Sequence, residues 1–228
     1  MSFSTGWKMP TEGLSLLLDA ANVKSYPGSG TSWYDLSGNG NTGTLTNGPT
    51  YNSGGYISFD GTNDLVSVAD SAELRVSTDG ISYGCWMRKD SGTGYDYYMK
   101  KTSEYMLRTP ADAEAGDVEG FVYVDTDGSG SVNAEPRVQT GTELADDTWV
   151  FPIVTWDDDG SYILYIDGVA AHSNTKTGAV ITTTNALEIG GNSSGYPDCD
   201  IAMAFVYQRA LSSDEVEDIY EGTRGRFT

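Results

Sequence analysis

The chain has 228 residues, enough for one large all-β domain to bury a full core without metals or disulfides. Its 33 acidic and 13 basic residues give a formal net charge of −20. This charge argues against nucleic acid as a partner, because phosphate binding needs a basic surface. The apolar runs are too short to span a bilayer, and the first ten residues lack the pattern of a secretory signal, so we expect no membrane partner.

The predicted strands are short and are separated by turn residues. Pro152 interrupts segment 149–156 and predicts an edge position or a bulge there, since proline donates no ladder hydrogen bond. Asp167-Gly168 predicts the tight turn of a hairpin. Segment 201–207 is apolar on both faces and is expected between two layers. The predicted strands are 13–19, 56–59, 65–68, 81–88, 95–101, 105–108, 118–124, 132–138, 149–156, 162–166, 169–172, 186–189 and 201–207.

One helix is predicted near the C-terminus. Ser212 and Glu215 form a capping box, and Leu211 with Val216 supplies the hydrophobic staple. The helix is expected to run to about Tyr220, with Gly222 as its stop. Many short strands, abundant turns and one short helix predict an all-β fold, a two-sheet antiparallel sandwich. We predict a single domain over 1–228, with its core at about 13–222.

Segment 34–49 (YDLSGNGNTGTLTNGP), here called the Asn/Gly loop, presents side-chain oxygens at alternate positions. Carboxylate and amide oxygens are the ligands that calcium prefers. We predict a calcium site with Asp35 as the best ligand and Asn39, Asn41 and Asp19 as helpers. The alternative is a plain surface turn whose Asn and Asp side chains bond their own backbone.

Several segments together resemble the laminin-G-like branch of the concanavalin A-like jelly rolls. They run in family order and cover nearly all of the chain. Segments 13–41 and 206–227 resemble the branch found in tailed-phage structural proteins and bacterial surface proteins. The matching pieces are 34–49, 57–64 (ISFDGTND), 149–156 (WVFPIVTW), 164–169 (LYIDGV), 187–191 (LEIGG) and 206–220 (VYQRALSSDEVEDIY).

The resemblance implies a jelly-roll sandwich, calcium at one edge of the sheets, and a binding role toward glycans or proteins. Many members carry Ile-Asp-Glu at the start of the last strand, where this chain has Ile201, Ala202 and Met203. A carboxylate is therefore missing from that place. Asp200, one residue earlier, is the compensating ligand that we add to the predicted calcium site.

Glycosidases of this kind need two carboxylates that flank the scissile bond. No Glu-x-Asp-x-Glu run occurs here. The pairs Asp112/Glu114 and Asp117/Glu119 come closest but lie in a Gly/Ala-rich stretch. The single histidine, His172, has no Gly-x-Ser-x-Gly elbow to accompany it. The sequence therefore predicts a protein that is not an enzyme.

Two surface sites are predicted. Tyr95, Tyr97 and Tyr98 offer flat faces for a ligand, and the alternative is ordinary hairpin alternation with half of them in the core. Arg224, Arg226 and Phe227 form an assembly contact, since Arg and Phe are enriched at interfaces; the alternative is a frayed tail. Deletion of 223–228 is expected to leave the melting temperature almost unchanged.

Taken together, the sequence predicts a non-catalytic structural or attachment protein at the virion surface, as a decoration or fibre-type component. Its expected partners are other virion proteins or copies of itself, as a homo-oligomer, with a cell-surface glycan as a further ligand. The alternative is a bacterial carbohydrate-binding or adhesin module in the extracellular space.

Overall fold

A computed structural model describes residues 9–90, 95–110, 117–130, 137–141 and 144–227. The predicted strand residues 132–136, the predicted pair Asp112/Glu114 and the last residue of the C-terminal tail lie outside these ranges. The strands are β1 (Leu14–Asp19), β2 (Ser32–Trp33), β3 (Gly43–Thr46), β4 (Thr50–Asn52), β5 (Tyr56–Asp60), β6 (Leu65–Val68), β7 (Ile81–Lys89), β8 (Tyr97–Lys101), β9 (Tyr105–Arg108), β10 (Glu119–Val122), β11 (Val124–Asp125), β12 (Arg137–Gln139), β13 (Trp149–Val150), β14 (Pro152–Trp156), β15 (Ser161–Ile166), β16 (Val169–Thr175), β17 (Ala179–Val180), β18 (Leu187–Ile189) and β19 (Asp198–Tyr207). The helical elements are α1 (Ser213–Thr223) and the 3₁₀ turns Ala72–Leu74 and Arg224–Arg226.

The strands form two antiparallel sheets. The nine-stranded back sheet has the order β16-β15-β14-β7-β19-β5-β4, with β1 paired to β19 and β13 paired to β7. The eight-stranded front sheet has the order β12-β10-β9-β8-β18-β6-β3-β2, and β11 pairs with β17 in a separate ribbon. The predicted all-β, two-sheet antiparallel jelly-roll sandwich with one short C-terminal helix is confirmed.

The main core lies between the inner faces of the two sheets. Strand alternation sends every second side chain inward, as for Leu16 and Leu18 of β1 and Tyr105 and Leu107 of β9. Burial of each such leucine stabilises the fold by about 1.5–3 kcal/mol.

β19 is apolar on both faces, as predicted. Ala204 and Val206 join the core between the sheets, whereas Phe205 and Tyr207 pack with Val216 of α1 on the outer side. The back sheet is thus covered on both faces. In the described ranges no α-helix covers the outer face of the front sheet, and no helix is long and apolar enough to cross a membrane.

The predicted hairpin turn is confirmed. Asp167 and Gly168 have φ angles of 51° and 80°, the left-handed pair that joins β15 to β16. A Cβ added to Gly168 would lie 3.1 Å from Cδ1 of Tyr220, so the turn packs closely on α1.

The prediction of an edge position or a bulge at Pro152 is wrong in both forms. Pro152 is the first residue of β14, which lies inside the back sheet between β7 and β15. The ladder to β7 is interrupted at Phe151 and Pro152, and the register continues unchanged beyond them. The amide of Phe151, which is not part of the ladder to β7, donates to Oδ1 of Asp167 at 2.9 Å.

The capping box of α1 is confirmed, because the side chains and amides of Ser212 and Glu215 bond reciprocally. The predicted stop at Gly222 is wrong, since the helix continues to Thr223. The buried hydroxyl of Thr223 accepts the indole N–H of Trp86 at 2.7 Å, and this tertiary bond holds the last turn helical.

Candidate functional site

Asp35 is the hydrogen-bonding centre of the Asn/Gly loop. Its Oδ1 accepts the amides of Leu17 at 3.0 Å and Ser37 at 2.8 Å. Its Oδ2 accepts the Ser37 hydroxyl at 2.7 Å and the Asn41 amide at 3.0 Å. One carboxylate with four donors fastens the loop to β1, as expected for a turn stabilised by an Asp side chain.

The other predicted calcium ligands have different local partners. Asn39 and Asn41 donate through Nδ2 to the carbonyls of Leu14 at 3.0 Å and Ser15 at 2.9 Å, so their amides act as donors. Among the described residues no group of three Asp, Glu, His or Cys side chains is arranged to hold a metal. Calcium binding stays a prediction.

Asp19 and Asp200 are both engaged by arginines. Asp19 accepts two hydrogen bonds from Arg226, at 3.1 and 2.8 Å. Asp200 accepts hydrogen bonds from Nε of Arg88 at 2.9 Å and from the hydroxyl of Ser58 at 2.5 Å. These carboxylates therefore join β1 to the C-terminal turn and β19 to β7 and β5.

The predicted assembly residues pack on their own domain. The centroid of the Phe227 ring lies 4.4 Å from that of the Trp86 ring and 4.8 Å from that of the Trp149 ring. Arg224 donates to Glu221 at 2.8 Å. The expectation that the tail is removable without cost is corrected, because its contacts are part of the outer face of the back sheet. A role of Arg224, Arg226 and Phe227 in assembly stays a prediction.

The three predicted ligand-binding tyrosines separate to opposite faces. Tyr98 is 1% exposed and lies in the core between the sheets, so its place in a ligand site is corrected. Tyr97 lies on the outer face of the front sheet. The pairing of β8 with β9 shifts register between Tyr97 and Met99. Tyr95 is 42% exposed, and its ring lies 6.4 Å from that of Tyr97.

Arg108 organises the outer face of the front sheet. Its guanidinium carbon lies 4.2 Å from the centroid of the Tyr95 ring and 4.7 Å from that of Phe121. Its Nη1 donates to the Tyr97 hydroxyl at 3.1 Å, and its Nε donates to Oε1 of Glu119 at 2.7 Å. We name as the front patch the residues Tyr95, Tyr97, Lys100, Arg108, Glu119, Phe121 and Arg137.

Lys100 is a buried cation of the front patch. Its Nζ lies 3.9 Å from the centroid of the Tyr97 ring and donates to Oδ1 of Asn192 at 2.9 Å. Burial lowers the pKa of Lys100, while the charge of Glu188 acts in the opposite direction. The ammonium group is thus held by an aromatic face and an amide.

Glu119 carries an unused hydrogen-bond acceptor. Its Oε2 is buried and accepts no hydrogen bond from the described residues, and Nη1 of Arg137 lies 3.5 Å from it. The Arg137 side chain is 49% exposed. A buried acceptor without a donor is unfavourable, and the charge of the nearby Arg137 offsets part of that cost.

The front patch is therefore suited to polyhydroxylated ligands. Aromatic faces pack against the apolar side of a sugar ring, and a few convergent charged groups bind its hydroxyls. The sequence did carry one signal. Met106 and Arg108 are two residues apart in a strand, as are Glu119 and Phe121, so each pair lies on one face. Sequence reasoning missed Lys100, Arg108, Glu119 and Arg137, because their meeting depends on pairing between strands.

The carboxylate pair closest to a glycosidase motif is committed to other bonds. Asp117 is buried and accepts hydrogen bonds from Gln139 at 2.9 Å and Thr140 at 3.2 Å. Glu119, on the same side of the chain, is paired with Arg108.

Comparisons with known proteins agree with this architecture. A family model described as the concanavalin A-like lectin/glucanases superfamily matches residues 60–217. The fold is similar to the binding domain of botulinum neurotoxin serotype D, with 16% identity, a TM-score of 0.70, and coverage of 93% of this chain and 52% of that chain. It is also similar to the binding domain of Paraclostridial Mosquitocidal Protein 1, with 16% identity, a TM-score of 0.67, and coverage of 92% and 52%.

A third similar structure is a botulinum neurotoxin serotype D ligand binding domain in complex with N-acetylneuraminic acid. It shares 14% identity at a TM-score of 0.66, with coverage of 93% of this chain and 52% of that chain. The chain thus spans about half the length of these binding domains, and at such identities the likeness concerns the fold. A sequence search of curated proteins finds no match.

Proposed function

This chain belongs to the concanavalin A-like lectin/glucanase superfamily, and on that premise we propose that it is a non-catalytic attachment module that binds glycans through the front patch. The observation that carries the proposal is the arrangement around Arg108, which contacts the rings of Tyr95 and Phe121 and bonds Glu119. Aromatic faces next to charged hydrogen-bonding groups are a sugar-binding chemistry.

Each part of the front patch has a role in this proposal. The half-exposed ring of Tyr95 stacks on the apolar face of one sugar ring. The exposed guanidinium of Arg137, beside the buried Oε2 of Glu119, donates to sugar oxygens at the rim. Arg108 and Lys100 hold the aromatic rings in place from within the sheet.

The charge of the front patch supports an acidic sugar as the ligand. Three of the 13 basic side chains, those of Lys100, Arg108 and Arg137, lie in the patch, and the carboxylates of Glu119 and the neighbouring Glu188 leave an excess of one positive charge, on a protein of net charge −20. A sugar carboxylate pairs with an arginine through charge-assisted hydrogen bonds. A botulinum neurotoxin ligand binding domain, 52% of which is matched by this chain, forms a complex with N-acetylneuraminic acid.

A glycan array followed by affinity measurements tests the proposal. Tyr95→Ala is expected to weaken binding of the best glycan by about two- to tenfold, which corresponds to the roughly 0.5–1.5 kcal/mol of a stacked ring. Tyr34→Ala is the matched control, because Tyr34 is 49% exposed on the Asn/Gly loop, outside the patch. Equal affinities for the two variants, or no bound glycan on a broad array, would contradict the proposal.

We further propose that the carrier of this module is a virus particle, on which it serves as a decoration or fibre-type component. The support is the resemblance of segments 13–41 and 206–227 to tailed-phage structural proteins. Mass spectrometry of purified particles and of host secretions distinguishes a virion component from a secreted bacterial module. Presence in secretions and absence from particles would favour the bacterial carbohydrate-binding or adhesin module instead.

A further inference from the structure

A groove of about 800 Å³ lies between α1 and the β15–β16 hairpin, on the outer side of the back sheet. Its floor is apolar and is formed by Ile163, Tyr165 and Leu211. The turn at Gly168, packed on Tyr220, joins the two walls. We name this feature the helix–hairpin groove.

The walls of the helix–hairpin groove are acidic. Asp214, Glu217 and Glu221 line it from α1, three and four residues apart on one face of the helix, and Asp167 lines it from the hairpin. No lysine, arginine or histidine is among the lining residues of the described chain. Asp214 and Glu217 form no ion pair within the described ranges, so their mutual repulsion is not offset by a cation of this chain.

The hairpin wall adds an exposed apolar residue and the backbone of an edge strand. Val169 is 70% exposed at the start of β16, all seven residues of β16 are exposed, and none of them is Asp, Glu, Lys or Arg. In the described part of the fold β16 has a strand partner on one side only. Unpaired strand groups beside an apolar groove are features that a polypeptide partner can use.

We propose that the helix–hairpin groove binds a basic segment of a partner protein, with an apolar side chain on the floor and lysine or arginine side chains against the α1 wall. The complementary charge comes from the carboxylates, and the apolar floor supplies the anchor that fixes position. The groove lies on the back sheet and the front patch on the front sheet, so a carrier and a glycan can be bound at once.

Titration of isotope-labelled protein with synthetic peptides tests this proposal. The probes are a twelve-residue peptide of alternating leucine and arginine and the same peptide with glutamine in place of arginine. The arginine peptide is expected to shift the amide signals of Val169 and Glu217 and to bind at least about tenfold more tightly than the glutamine peptide.

The charge-reversal variant Asp214→Lys/Glu217→Lys is expected to lose that preference. Asp218→Lys is the matched control, because Asp218 is exposed on the same helix but does not line the groove. An equal loss with Asp218→Lys, or equal binding of both peptides, would overturn the proposal. A wild-type dimer in sedimentation that the double variant abolishes would overturn it too, since the occupant would then be a second copy.

Discussion

The indole nitrogen of Trp86 donates a 2.7 Å hydrogen bond to the hydroxyl of Thr223, and both residues are buried. Phe227 stacks on the same indole at 4.4 Å. The C-terminal turn is therefore built into the outer face of the back sheet.

Thr223→Val is expected to lower the free energy of unfolding by about 1–3 kcal/mol, because it leaves a buried indole donor without an acceptor. Deletion of residues 224–228 is expected to destabilise the protein as well, through loss of the Phe227 stacking. Urea unfolding measures both. Thr44→Val, at an exposed position of β3, is the control and should stay within about 0.5 kcal/mol of wild type. Wild-type stability of the Thr223 variant would refute the structural role of the tail.

Asp35→Ala is expected to destabilise the protein by about 1–3 kcal/mol even in chelator, because the Leu17, Ser37 and Asn41 amides lose their shared acceptor. If the Asn/Gly loop binds calcium, the wild-type melting temperature rises with calcium and the variant loses that rise. A wild-type protein that does not respond to calcium or chelator would remove the calcium prediction. Unchanged stability of the variant in chelator would contradict the role of Asp35 in the loop.

Stability should depend on pH through Glu215. The bidentate bond from Arg209, at 2.6 and 2.8 Å, and the Ser212 amide lower the pKa of this carboxyl from its usual 4.5 to about 2. Because the folded-state pKa is depressed, the contribution of Glu215 is fully present above pH 4.5 and is lost as the pH falls toward about 2.

Glu215→Gln should therefore be less stable than wild type at neutral pH, and the difference should shrink through that window. Unfolding curves at a series of pH values give this difference. The control is Asp218→Asn, on the exposed side of the same helix and outside the helix–hairpin groove. A difference that stays constant down to the lowest pH would contradict the assignment.

Incubation with a panel of β-glucans and galactans should release no reducing sugar above the buffer level. The physical reason is that Asp117 and Glu119 are held by Gln139 and Arg108, which leaves no free carboxylate pair on that strand. Release that disappears in Glu119→Gln would show that the front patch is an active site.

Features fixed by neighbouring residues were predictable. The capping box at Ser212 and the Asp167-Gly168 turn depend on residues within four positions of each other, and both are confirmed. Gly222 shows the limit of such rules, because the Trp86–Thr223 bond extends the helix past a residue that normally ends one.

The front patch was not predictable because it depends on strand register. Arg108 meets Glu119 and Tyr97 only through the pairing of β9 with its two neighbours. Ordinary alternation separates the faces of Tyr97 and Tyr98, whereas the register shift between Tyr97 and Met99 places both Tyr98 and Met99 in the core, which no local pattern predicts.

Glycan binding by the front patch is tested most directly by titrating isotope-labelled protein with the best glycan of the array and mapping the amide shifts. We predict that the largest shifts fall on Tyr95, Arg108 and Glu119, and that Tyr95→Ala reduces them at equal glycan concentration. Shifts confined to the Asn/Gly loop around Asp35 or to the helix–hairpin groove would contradict the account.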